Sequence, residues 1–131
     1  GMNTDATGRY SAMYKPFHLI GLELNVSILS AALLGKPPGS TLAFAGDVAA
    51  TAKRDLAAGE TLDGEGGFTV WGKLLPAKTS LRHGALPIGL AHGVRLKNTI
   101  AAGGIITWDD VDIDETAAAV RIRREMEQRF G

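Results

Sequence analysis

Cysteine is absent from the 131 residues. That excludes disulfides, thiolate metal sites and a cysteine nucleophile, and it accords with a reducing compartment. A surplus of either charge is missing too, since Lys plus Arg number 14 and Asp plus Glu number 14. A net charge of zero gives no electrostatic case for nucleic acid or an anionic membrane as a partner. Nor is there a long unbroken hydrophobic run. The most apolar stretch, Phe17 to Leu34, contains His18, Glu23, Asn25, Ser27 and Ser30. A membrane-spanning helix needs about 20 predominantly apolar residues, and a Glu within it is costly. The first residues are polar, without the basic start and apolar core of a secretory signal. The expectation is a soluble, cytoplasmic protein that partners neither membrane nor nucleic acid. The three histidines, at 18, 83 and 92, lack close metal-ligand spacing, so no metal site is expected. The chain also lacks a P-loop, a Gly-x-Ser-x-Gly elbow and a His-Glu-x-x-His helix motif.

Glycine, by contrast, is abundant, at 17 residues. Spread among short apolar runs, it predicts many tight turns and therefore short strands. The strongest strand signal is Phe68 to Leu75, which is rich in aromatic and β-branched residues and follows the turn Gly64-Glu65-Gly66-Gly67. Leu42 to Leu62 reads as short strands around Gly46-Asp47. Leu86 to Val94 reads as a strand with a bend, because Pro87, Gly89 and Gly93 interrupt it. Phe17 to Leu34 reads as a helix with two apolar stripes, one through Leu22, Val26, Leu29 and Leu33 and the other through Ile20, Leu24, Ile28 and Ala31. Gly35 and Pro37-Pro38-Gly39 end it. A second helix is expected from Thr116 to Arg129, with Asp114 and Glu115 at its dipole-favoured start. Its apolar stripe reads as Ala119, Ile122, Met126 and Phe130. Arg121, Arg123, Arg124, Glu125, Glu127 and Gln128 form the face expected in solvent.

Two segments match at an offset of 44 positions. Lys53-Arg54-Asp55-Leu56-Ala57-Ala58-Gly59-Glu60-Thr61-Leu62 aligns with Lys97-Asn98-Thr99-Ile100-Ala101-Ala102-Gly103-Gly104-Ile105-Ile106. Each carries an apolar residue, Ala-Ala-Gly, a variable position and an apolar strand start. The glycine can take positive φ, and the next apolar residue re-enters the core. Asp109-Asp110-Val111 closes the second copy, with Val111 pointing inward.

From Gly46 to Asp114 this pattern resembles the SAF domain family. That family includes type III antifreeze proteins, sialic acid synthase C-termini, flagellar P-ring assembly chaperones and altronate dehydratases. The resemblance implies a β-clip of short, twisted strands. The expected fold is therefore α+β, a mainly β domain over 46–114. It is preceded by an extension and apolar helix (1–45) and followed by a C-terminal helix (115–131).

A second resemblance spans almost the whole chain. Tyr10 to Glu23 (Tyr-Ser-Ala-Met-Tyr-Lys-Pro-Phe-His-Leu-Ile-Gly-Leu-Glu), Asp63 to Lys73 and Gly89 to Val94 are similar to segments of bacterial homoserine-dehydrogenase-like oxidoreductases that contain a SAF domain. Some of those act like deoxyxylulose-phosphate reductoisomerase. In them an N-terminal Rossmann domain binds NAD(P). No Gly-x-Gly-x-x-Gly is present here. The resemblance thus implies an accessory or C-terminal domain that binds no cofactor alone, with NAD(P) held by a separate Rossmann-domain subunit or by the full-length relative. The alternatives are a free-standing SAF module for a sugar acid or phosphate, and a structural assembly protein.

Six residues are candidate ligand contacts. Lys15, His18 and Glu23 are the polar members of an apolar segment. His18 could exchange a proton near neutral pH, and Lys15 could hold a phosphate or carboxylate. The plainer alternative is an exposed helix start with Glu23 paired to a neighbouring cation. Trp71 and Lys73 flank Gly72, so strand alternation puts both on one face. They are either a ligand-binding pair or a core Trp with a snorkelling Lys. His92 is either catalytic or hydrogen-bonded to backbone. Two apolar stripes on one helix also lead us to expect a homodimer or higher homo-oligomer. Leu22, Leu24, Val26, Ile28 and Leu29 would then be divided between the chain's core and the interface.

Overall fold

A computed structural model describes residues 3–130. The chain forms two compact units, Gly1–Thr41 and Leu42–Gly131. The first holds one helix, α1 (Ile20–Leu34), which starts later than Phe17 and ends at Gly35 with φ 61°. The Lys36 N–H donates back to the Ser30 carbonyl (3.3 Å), so a glycine in the left-handed region at position 35 terminates the helix. α1 contains no buried residue. Leu22, Leu24, Val26, Ile28 and Leu29 are all exposed, so the expected share of these side chains in the chain's own core is not found. Among the described residues, no helix is long and apolar enough to cross a membrane.

The second unit is an α+β fold of five short strands with helices, as the glycine-punctuated pattern predicts. The strands are β1 (Gly46–Ala52), β2 (Thr61–Asp63), β3 (Val70–Pro76), β4 (His92–Leu96) and β5 (Val111–Asp112). β1 pairs antiparallel with β3, and β4 lies between β2 and β5, antiparallel to both. The bend in Leu86–Val94 is a short 3-10 turn at Ile88–Leu90.

Strand β1 is central because its two edges serve different partners. Lys53 N–H donates to Thr69 C=O and Ala77 N–H to Ala45 C=O, in register with the β1–β3 ladder. Antiparallel bonding alternates along a strand, so the odd-numbered residues of β1 bond β3. Even-numbered Ala50 and Ala52 instead bond Leu86, Ile106, Gly103 and Gly104 on the other side. With both edges used and both faces covered, only small residues fit, and Ala49, Ala50, Thr51 and Ala52 are all buried.

The repeat is a pseudo-two-fold axis. Leu56 and Ile100 exchange backbone bonds of 2.8 and 2.9 Å. Gly59 N–H donates to Leu96 C=O (2.7 Å), and its counterpart Gly103 N–H donates to Ala52 C=O (2.9 Å). Leu96 N–H to Glu60 and Ala52 N–H to Gly104 repeat the relation, both at 2.9 Å. Gly59 (φ 86°) and Gly103 (φ 79°) occupy the conformation that L side chains resist. The core builds around this axis from Leu56, Leu62, Val70, Leu86, Leu96 and Ile106, and Val111 points inward as expected.

Two helices complete the unit. α2 (Ala77–His83) has no counterpart in the sequence reading. It follows directly from β3, with Pro76 at its N-cap and Gly84 (φ 60°) closing it. α3 (Ala118–Phe130) forms where expected, but its inward face is not the predicted one. Val120 is buried at 2% exposure, whereas Ile122 is 67% exposed and Phe130 also faces solvent. Arg123, Arg124 and Glu127, expected in solvent, are partly buried. The phase is set by polar partners. Arg123 reaches Asp47 at 2.6 Å, and the Arg124 guanidinium lies 3.7 Å from the centre of the Trp108 ring.

Candidate functional site

The first unit brings together its three candidate residues. Glu23 lies in the first turn of α1 and reaches back past the helix start. Its carboxylate accepts the Leu19 N–H (3.3 Å), is ion-paired with Lys15, and lies 3.6 Å from His18 Nδ1. Without a side-chain cap at Leu19, this carboxylate satisfies one of the helix's free amides. His18 stays largely in solvent, and Lys15 and Glu23 are partly exposed. The arrangement offers one cation, one carboxylate and a titratable ring at the start of an apolar helix.

In the second unit, Trp71 and Lys73 stand on the same side of β3, opposite Thr51 and Ala49 of β1. Trp71 is 42% exposed, so it is not a core side chain. The core tryptophan is Trp108. Among the described residues Lys73 pairs with no carboxylate. A flat aromatic and a free ammonium therefore share one accessible surface.

His92 belongs to a different constellation, the loop from Asp63 to Thr69. Its Nδ1 lies 3.0 Å from the Asp63 carbonyl oxygen. A carbonyl only accepts, so Nδ1 carries the proton of the neutral ring and Nε2 is the bare nitrogen. A side chain at Gly64 would collide with His92, and Gly64 has φ 75°. The Asp63 carboxylate accepts the Thr69 hydroxyl, the Phe68 N–H and the Thr69 N–H. These bonds, that of the Thr69 hydroxyl foremost, hold its pKa far below the usual carboxylate range. A side chain at Gly67 would overlap that carboxylate, and the Gly67 carbonyl accepts the Lys53 ammonium.

This geometry decides whether the glycine-rich turn fits a dinucleotide phosphate, and it does not. The Phe68 and Thr69 amides that follow it point at the Asp63 carboxylate, a negative charge of the chain's own, and the Gly67 N–H donates to the Gly64 carbonyl oxygen (3.2 Å). The turn also connects two strands instead of opening a helix, and every named strand pair in the described residues is antiparallel. Among the described residues no cluster of three or more His, Asp or Glu could hold a metal ion.

Sequence reasoning missed the one charged residue in the buried set of the described residues. Asp47 is 7% exposed, and it accepts the Ser80 hydroxyl (2.6 Å) and both terminal nitrogens of Arg123 (3.0 and 2.6 Å). Arg123 also donates to Glu127 at 2.7 Å and lies over the Phe44 ring. Burial works to raise the Asp47 pKa, but the bonds from Arg123 and Ser80 prevail and hold it below the usual range. The one sequence signal was a carboxylate beside a glycine in an apolar stretch. Its partner lies 76 positions away, which no local pattern reveals.

A family model described as the SAF domain matches residues 47–112. The match covers half of the chain, and the chain belongs to the SAF domain family. A search of curated proteins finds no match.

Proposed function

We propose that this SAF chain is the accessory, C-terminal part of a homoserine-dehydrogenase-like, NAD(P)-dependent oxidoreductase. In this reading it carries no hydride itself and docks on the part that does. The observation that carries the proposal is α1, a fifteen-residue apolar helix with no buried residue. Such a helix needs a surface to cover it, because contiguous exposed apolar area is rare on a protein that works alone. The sequence resemblance of Tyr10–Glu23, Asp63–Lys73 and Gly89–Val94 supplies the identity of that surface, a Rossmann-domain body that binds NAD(P). Burial of each large side chain of α1 stabilises by ~1.5–3 kcal/mol, so several together support a lasting interface. Lys15, His18 and Glu23 sit at the start of α1 and would reach the substrate pocket at that junction.

Two measurements test this. Titration of the isolated chain with NADPH should give no heat of binding, and micromolar affinity would overturn the reading. Mixed with a Rossmann-domain oxidoreductase body from the same source, the chain should form a complex that Ile28→Asp abolishes. Ile28 is half exposed, so that variant leaves the SAF unit folded.

Trp71 and Lys73 favour a second reading, a free-standing module that binds a small sugar acid or phosphate. The aromatic face would stack on the ligand and the ammonium would hold its charge. A panel of sugar acids and sugar phosphates, read by Trp fluorescence and repeated with Lys73→Ala, separates this from the first reading.

A further inference from the structure

The pseudo-two-fold axis relates strand edges as well as turns. The β1–β3 pairs Thr51↔Trp71 and Ala52↔Val70 correspond to the β4–β5 pairs Arg95↔Asp112 and Leu96↔Val111. On one side of the axis the outer strand stops after two residues and runs into Ile113 and Asp114. A short edge flanked by acids is how a sheet avoids pairing with another chain. On the other side β3 continues for seven residues, Val70 to Pro76, and has no such protection over Leu74.

The free edge can be read residue by residue. Odd-numbered residues of β3 bond β1, so Gly72 and Leu74 direct their N–H and C=O groups outward. Neither residue has a backbone partner on that side among the described residues. Val70 is wholly buried and closes the edge at one end, and Pro76 offers a carbonyl but no amide at the other. Apolar surface accompanies these open groups. Leu74 is 75% exposed, lies opposite the part-exposed Val48, and lines a hollow with Ala45, Gly46, Leu75 and Pro76.

We infer that β3 is a self-association edge whose occupant is β3 of a second copy of this chain, antiparallel about a two-fold axis at Leu74. The register follows from the open groups. With Leu74 on the axis, its N–H and C=O exchange bonds with those of Leu74 of the second copy. The Gly72 amides donate to the second lone pair of the Pro76 carbonyls, whose first accepts the opening bond of α2, and the Gly72 carbonyls stay unpaired because Pro76 has no amide. A register centred on Gly72 would need the backbone of Val70, which is buried. On the apolar face the two Leu74 side chains meet, flanked by the two Val48 side chains. On the other face Lys73 lies opposite Leu75, which keeps the two ammonium groups from direct opposition. The inference does not depend on the proposed oxidoreductase role.

The lack of cysteine makes the test direct. Light scattering of the full chain at micromolar concentration should give the mass of a dimer, and Leu74→Lys should return it to a monomer. Leu74→Cys, facing itself across the axis at the ~5.5 Å Cα separation of a hydrogen-bonded antiparallel pair, should oxidise to a covalent dimer. Lys73→Cys, which faces Leu75, should cross-link much more slowly. In the unsubstituted chain, hydrogen exchange at Gly72 and Leu74 should slow as concentration rises, a reading that needs no variant to fold. A monomer mass for the unsubstituted chain overturns the inference. So does a dimer that survives Leu74→Lys but is split by Ile28→Asp. Cross-linking of Lys73→Cys as fast as Leu74→Cys, or concentration-independent exchange at both amides, overturns it as well.

Discussion

The Asp47 carboxylate and the Arg123 guanidinium face each other in a two-bond fork, 3.0 and 2.6 Å long, that fastens α3 to the first strand of the domain. Both side chains are close to fully buried. Such a pair stabilises little relative to apolar residues of the same shape, but losing one member strands a charge.

Asp47→Ala should therefore cost roughly 3–5 kcal/mol in urea unfolding, because Arg123 stays buried with only Glu127 as partner. The double variant Asp47→Ala with Arg123→Met should recover most of that loss. Equal destabilisation in the single and double variants would show that packing, not the stranded charge, sets the cost.

Acid should unfold the SAF unit through the same group. The folded-state pKa of Asp47 is held below its ordinary value, so the unfolded chain binds the proton more tightly. The stability this confers is complete above an unfolded value of about 3.9 and is lost as pH falls through the lower folded value. Asp63, Asp110 and Asp114 are shifted the same way. Thermal midpoints should stay level from neutral pH to roughly pH 5 and then fall. With Asp47→Asn that fall should be shallower.

The two turn glycines are equivalent by pseudo-symmetry and should respond alike. Gly59→Ala and Gly103→Ala each force a side chain into positive φ, at a cost of roughly 1–2 kcal/mol. The Gly59 variant should cost slightly more, since its new methyl would also meet the Arg95 guanidinium at 3.2 Å. Chemical denaturation of both variants checks the size and the order.

The tautomer of His92 is open to direct observation. Nitrogen-15 shifts at a pH where the ring is neutral should show Nδ1 protonated and Nε2 bare, because Nδ1 lies 3.0 Å from a carbonyl. The opposite assignment would mean that the Asp63 carbonyl does not hold this ring.

Much of the fold was legible in the sequence because its determinants are local. The two Ala-Ala-Gly turns require positive φ wherever they occur, and the 44-position offset between them marks two halves built alike. Gly35 and the prolines after it stop α1 regardless of what surrounds it. Short apolar runs between glycines leave room only for short strands. The same local logic placed Trp71 and Lys73 on one face, since strand alternation needs no partner to be true.

The tertiary structure decided the rest, for reasons of distance along the chain. The face α3 turns inward depends on Asp47 and Trp108, neither of which lies on the helix, so counting apolar residues chose Ile122 where the fold chose Val120 and two arginines. α2 was invisible because seven residues carry too little periodicity to signal a helix, and only Pro76 and Gly84 delimit it. His92 acquired its partner when β2 and β4 paired, and Asp63 turned its carboxylate onto its own loop. Hydrophobic pattern and turn chemistry are properties of neighbours in sequence. A buried charge, the phase of a helix and the open edge of a strand are properties of neighbours in space.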